Sequence, residues 1–342
     1  MLKEIRTKTF LIISILFLLI ISGCSAFKEK RSSVKVLIVP KFENGELGGD
    51  FPGEAQLFYQ KYTNNCKEAK IANMPEGAQF YFNKENGVGI LITGTGKTLS
   101  GLSLMALLSD EHYDFSDAYI VSVGCAGGSV DETVFGDVVL TTAVCDFDVG
   151  YRAHDREKGD AKWYPIENFA TSSFVTLDDS LCDKVYDLVK DCPLQTTSIA
   201  KEIQERSFGK DKLAHDNPIV MKGTSMTSDE YWKGDVGHEM AKNIANYYGC
   251  KNPYTVCEME EIAVANAVNC FDMLDRLISF RVVVNMDMFL DNQTPEKLWS
   301  GNKDEDLFTS DSVESLDIFE PAMHNLFDVA SIVIDAILNN NF

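Results

Sequence analysis

"GVGILITGTGKTLSGLSLMALLSDE", residues 87–111, joins a continuous apolar run to a helical repeat across two closely spaced glycines. A β-branched run without polar alternation reads as a strand buried on both faces. A helix directly behind it returns the chain to start another strand. The same kind of run recurs at "VKVLIVP" (34–40), "DAYIVSVGCAGG" (117–128) and "GDVVLTTAVCDFDVG" (136–150). It appears again in "PIVMKGTSMTSDE" (218–230) and "SFRVVVNMDMF" (279–289). Helical patterns fall at 180–192, 237–249 and within 314–339. This alternation predicts an α/β fold: three α/β/α layers around a mostly parallel, twisted central sheet. No repeat or linker interrupts residues 34–342, so one domain is expected there.

The chain has 342 residues, 45% of them hydrophobic, and a formal net charge of −21. That field repels a phosphate backbone and argues against nucleic acid as a partner. Nine cysteines are scattered without a CxxC or Cys/His cluster, and histidines number five, which argues against a metal site. Cys182 and Cys192 form a closely spaced pair, whereas Cys125, Cys145 and Cys257 sit in apolar runs and read as small core residues.

The first residues are a separate matter. A basic start (Lys3, Arg6, Lys8) precedes "FLIISILFLLII" (10–21) and "ISGC" (21–24). This is the pattern of a secretory leader, to be excluded from the fold. Its ending resembles the bacterial lipobox, which implies cleavage before Cys24 and a lipid on its sulfur. A plain N-terminal anchor is the alternative. Either places the body outside the cytoplasm, with residues 24–33 as a tether. This leader is also the only apolar run that the sequence offers as a bilayer span, which argues against a pore.

In parallel sheets, ligands bind beyond the carboxyl ends of the strands. Those ends carry "PKFENGELGGDFPGE", "TGTGK", "GCAGG", "TSDEYW", "CEMEE" and "NMD". "TGTGKT" is not a Walker loop, because Leu91 stands where that pattern needs glycine. Taken together and in order, these segments resemble the nucleoside phosphorylase and nucleosidase superfamily. "VSVGCAGGSVDETVFGDVVL" is similar to its glycine-rich segment, "VCEMEEIAVANA" to its EMExxA signature and "FRVVVNMD" to its R-x-(V/A)-S-(D/N) strand. The branch that "YWKG" (231–234) and "PGEA" (52–55) most resemble is the purine nucleoside permease family.

The resemblance implies a purine nucleoside ligand and cleavage of its N-glycosidic bond. Met259 would pack on the sugar and Glu260 would take the ribose hydroxyls. Gly94, Gly96, Ala126 and Gly127 would line the ligand, with Tyr231 or Trp232 stacked on the base. Where many relatives place an Asp on the leaving base, this chain has Asn285, with Asp287 two residues on as the other candidate acid. For activating water, Glu54 comes first and Glu43 second, with Glu46 and Asp50 nearby. Phosphate as a co-substrate would call on Lys97, Thr98, Ser100 or Arg152. No other cofactor is implied. Glu258 and Glu261 are expected to be helix-start carboxylates facing solvent. A homo-oligomer, dimer or trimer, is expected. The alternatives to an enzyme are a nucleoside-binding lipoprotein of an uptake system and a structural lipoprotein on an enzyme-derived fold. Replacing Cys24 by Ala is expected to abolish lipid labelling and to move the body into the soluble fraction on membrane fractionation.

Overall fold

A computed structural model describes residues 31–49, 51–153, 162–165, 172–291 and 312–342. Strands β1 to β7 are Ser32–Ser33, Val36–Val39, Gln79–Asn83, Val88–Ile92, Tyr113–Asp114, Tyr119–Gly128 and Val138–Asp146. Strands β8 to β13 are Tyr151–Ala153, Lys162–Tyr164, Phe174–Thr176, Val220–Thr227, Tyr254–Glu258 and Leu277–Met286. Helices α1 to α7 are Gln56–Tyr62, Lys97–Leu108, Asp179–Val189, Ser198–Phe208, Asp235–Tyr247, Glu261–Asn269 and Ser312–Leu338.

Nine strands form the central sheet in the order β10-β7-β11-β12-β6-β2-β4-β3, with β13 paired to both β6 and β7. The apolar runs make its parallel pairs: β4 with β2, β2 with β6, β6 with β13, β7 with β11, and β11 with β12. Because β13 bridges β6 and β7, the strands β6, β12, β11, β7 and β13 close into a ring. Closure leaves those strands no free edge. The layers are those expected, α/β/α. Helix α7 packs on β13 and β6, while α2 and α6 pack on each other and α6 on β7.

Two sequence expectations change here, the tether boundary and the count of apolar runs. Ser32 and Ser33, assigned to the tether, pair in parallel with Tyr113 and Asp114, so the fold begins before residue 34. Cys182 points at the Thr141 carbonyl and Cys192 at the Pro193 carbonyl, and both are free thiols. A second stretch, Asp317–Leu338, is long and apolar enough to cross a membrane. Its Ala322, Val329, Ala330, Val333 and Ile334 are fully buried, which makes it a core helix of this fold. The leader, Cys24 and Asp50 lie outside the described residues.

Phe280 is fully buried in β13, opposite Val123 of β6 and Leu140 of β7. Truncation to Ala at this closure should cost about 3–5 kcal/mol in urea unfolding.

Candidate active site

The centre of the strand ends is a buried cation. Arg281, fully buried in β13, donates from Nη2 to Glu261 Oε2 at 2.5 Å and to Glu258 Oε2 at 3.3 Å. Neither carboxylate faces solvent, contrary to the sequence expectation: Glu261 is fully buried and Glu258 is 6% exposed. Sequence reasoning took both for surface charges because it could not see the arginine, 20 residues from Glu261, that neutralises them. Glu258 also closes the start of α6: its Oε2 accepts from the N–H groups of Glu260 and Glu261 at 2.7 and 2.6 Å. Its Oε1 accepts from Ser225 and Thr227 of β11. Glu261 takes a further hydrogen bond from Ser122, whose hydroxyl in turn accepts from the buried Lys41 ammonium. Burial first, then the Arg281 charge, pulls the Lys41 ammonium down to about 8.

Glu260 is the least committed carboxylate of this group. It is 5% exposed and accepts one hydrogen bond, at 2.9 Å, from the Gly96 N–H. Burial, then the Glu258 charge, pushes its carboxyl up to about 7, against the pull of Arg281. Gly96 sits at φ 91°, a region that suits glycine, and this conformation turns its N–H toward Glu260. The next N–H, of Lys97, goes to Asp229 at 2.9 Å. The start of α2 therefore already holds two carboxylates. The Lys97 ammonium is held by Asp146 at 3.0 Å and Asp148 at 2.7 Å. Ser100 is buried against Gly94 and Thr93, and Arg152 donates to the Phe147 carbonyl and packs over its ring. Thr98 is exposed.

Glu54, 3% exposed, accepts from the backbone N–H of Lys41 and of Cys125, each at 2.7 Å, and so ties the ends of β2 and β6 together. It lies beside Arg281: a Cβ at Gly124 would overlap the guanidinium and come within 3.0 Å of Glu54 Oε1. Arg281 Nη1 and Nε are buried without a protein acceptor. Glu43, the second candidate, instead accepts from the N–H groups of Asn44, Gly53, Ala55 and Gln56 and caps α1, which removes it as an activating base. Glu46 is exposed.

On the other side stand Asn285 and Tyr231. Asn285 Nδ2 donates to the Tyr231 hydroxyl at 2.8 Å, and its Oδ1 is buried without a partner. The glycine at 127 makes room for this amide, since a Cβ there would lie 2.8 Å from Asn285 Oδ1 and 2.9 Å from Cys257 Sγ. Ala126 is 5% exposed beside it, and Met259 is half-buried between Glu258 and Glu260. Tyr231 is 40% exposed, whereas Trp232 stacks on Phe147 with ring centroids 4.7 Å apart. Trp232 belongs to the packing behind the loop, whereas the Tyr231 ring has the Lys233 ammonium 6.0 Å from its centroid and its hydroxyl accepts from Asn285.

Asp287, the other candidate acid, does not join Asn285. β13 ends at Met286, and the buried Asp287 carboxylate turns to His238 at 2.7 Å, Tyr254 at 3.0 Å and the Val130 N–H at 3.2 Å. With both oxygens taken it is a structural anion. Its hydrogen bond, with that of Asp131, holds the His238 imidazole above its usual range.

The structure thus joins Gly96 to Glu260 and Asn285 to Tyr231, and sets Glu54 beside Arg281. It adds Arg281 and Lys41, which the site reading missed. Arg281 stood in the quoted strand "FRVVVNMD", and a lone Arg amid apolar residues was the available signal. Since Glu261 is buried against Arg281, Glu261→Gln should not be silent. It should cost about 3 kcal/mol or more in denaturant unfolding, because it leaves the guanidinium undercompensated.

Comparison with solved structures places this fold beside nucleosidases. A 5'-methylthioadenosine/S-adenosylhomocysteine nucleosidase from Neisseria meningitidis superposes with a TM-score of 0.53 at 13% identity, covering 89% of this chain and 99% of that one. Futalosine hydrolase of Helicobacter pylori gives 0.55 at 12% identity, covering 88% and 97%. A curated relative, a probable purine nucleoside permease of Schizosaccharomyces pombe, is 23% identical over 229 residues, 61% of this chain. That match spans 65% of the relative's length. The purine nucleoside permease family matches residues 33–341, nearly the whole described fold, and the chain belongs to that family.

Proposed function

We propose that the protein binds purine nucleosides at this cluster and cleaves their N-glycosidic bond, with water as the nucleophile. The observation that carries this reading is Glu260: a buried carboxylate with one backbone donor and unused acceptor capacity at the strand ends. Ribose hydroxyls would complete its hydrogen bonds. Its charge would then face the sugar as positive charge develops there, which lowers the barrier more than it tightens binding. Asn285 offers a hydrogen bond to the leaving base but cannot transfer a full proton as an acid does. The Tyr231 ring would stack on the base, and Glu54, beside Arg281, would orient water. The nucleosidase fold of the solved neighbours supports the same chemistry.

Water is favoured over phosphate by the charges around α2. Its first free N–H groups serve Glu260 and Asp229, and Lys97 serves Asp146 and Asp148. A phosphate entering there would meet four carboxylates. The second reading, a nucleoside-binding lipoprotein that hands its ligand to a transporter, draws on the permease description of the family. The lipid anchor, an extracytoplasmic location and a dimer or trimer are part of the same proposal, and rest on the N-terminal sequence and on the resemblance.

Chromatography of purified protein incubated with inosine or adenosine should show free base without added phosphate. Release that requires phosphate overturns the choice of water, and tight binding without release replaces the enzyme by the receptor. In Glu260→Gln, kcat should fall by the equivalent of on the order of 2–4 kcal/mol in barrier, with a smaller loss in affinity. The ionised carboxylate is the working form, and in the free protein its pKa is about 7. The wild-type kcat/KM should therefore rise with pH through about 7, and Glu260→Gln should lose that limb.

A further inference from the structure

Two thiols far apart in sequence meet beside the site. Cys145 lies near the end of β7 and is fully buried, packed with Met226, Met240, Ile244 and Tyr254. Cys250 follows the Gly249 turn after α5 and is half-buried. Their sulfurs are 3.7 Å apart. Among the described residues no other cysteine pair has its sulfurs in hydrogen-bonding contact, and all eight described cysteines are free thiols.

We propose that Cys145 and Cys250 are a site of disulfide formation, oxidised by a small-molecule or protein disulfide. Cys250, the more accessible sulfur, attacks the oxidant RSSR as its thiolate and releases one RS⁻, leaving a mixed disulfide. Cys145 then gives up its proton and attacks Cys250 Sγ, which expels the second RS⁻. Two protein thiols are oxidised, one external disulfide is reduced, and the displaced thiolates take up the two protons. The sulfurs need only close from 3.7 Å to a bond of about 2.05 Å. Hydrogen bonding from Cys145 also lowers the Cys250 thiol from its usual range, which favours Cys250 as the attacking group.

The cross-link would span 105 residues of chain. It would tie the end of β7 to the turn that precedes β12. Asp146, which holds Lys97, is the next residue after Cys145, and β12 ends in Glu258. Such a pair persists as a disulfide in an oxidising compartment and as thiols in a reducing one. The inference does not depend on the reaction proposed above.

The test is peptide mapping of the full-length protein after incubation with oxidised glutathione and blocking of remaining thiols with iodoacetamide. The expected product is a peptide pair joined through Cys145 and Cys250 that dithiothreitol separates. Cys250→Ser, a change at a half-buried turn, should yield no cross-linked Cys145 peptide. Recovery of both cysteines separately, as alkylated or glutathionylated residues, overturns the proposal. So does a Cys145 cross-link to another cysteine in Cys250→Ser.

Discussion

The ion pair between Arg281 and Glu261 is the contact on which the candidate site depends. Both groups are fully buried, so water cannot compensate either one if the other is lost. The same guanidinium reaches Glu258, and Glu258 closes the first N–H groups of α6. The start of α6 is where Glu260 stands. One buried cation therefore sets the position of the carboxylate that the proposed chemistry requires, through the neighbour on each side of it. Lys41 and Ser122 support the far side of Glu261 and continue this polar seam to the end of β2.

The four glutamates at these strand ends differ by what donates to them. Glu258 and Glu261 are saturated or paired, and Glu54 is held by two backbone N–H groups. Glu260 has one donor, and burial together with the Glu258 charge pushes its carboxyl up to about 7. A carboxylate in that state gains most from a ligand that brings hydroxyl donors. Purine nucleosides fit this condition. The acidic surround of Lys97 disfavours a second anion, which keeps the hydrolytic reading ahead of the phosphorolytic one.

Glycines contribute by what they leave room for. At 124 and 127 the missing side chains leave space for Arg281 with Glu54, and for Asn285 with Cys257. "GCAGG" reads from sequence as a surface for a flat ligand. In the fold, Gly124 and Gly127 admit the protein's own polar groups.

The sequence by itself determined the alternation of strands and helices, since uninterrupted β-branched runs have few ways to be buried. It also located the strand ends, and with them Glu260, Glu54, Asn285, Tyr231 and the Gly96 turn. Local pattern could say nothing about pairing across long separations. Arg281 and Glu258 are 23 residues apart, Cys145 and Cys250 are 105 apart, and Gly96 and Glu260 are 164 apart. The ring formed by β13, the burial of Glu261, the turn of Asp287 toward His238 and the packing of Trp232 on Phe147 were all decided by tertiary structure. The physical reason is the same in each case: a charge or a ring is committed by the partner that folding brings to it, and that partner lies outside any window read along the chain.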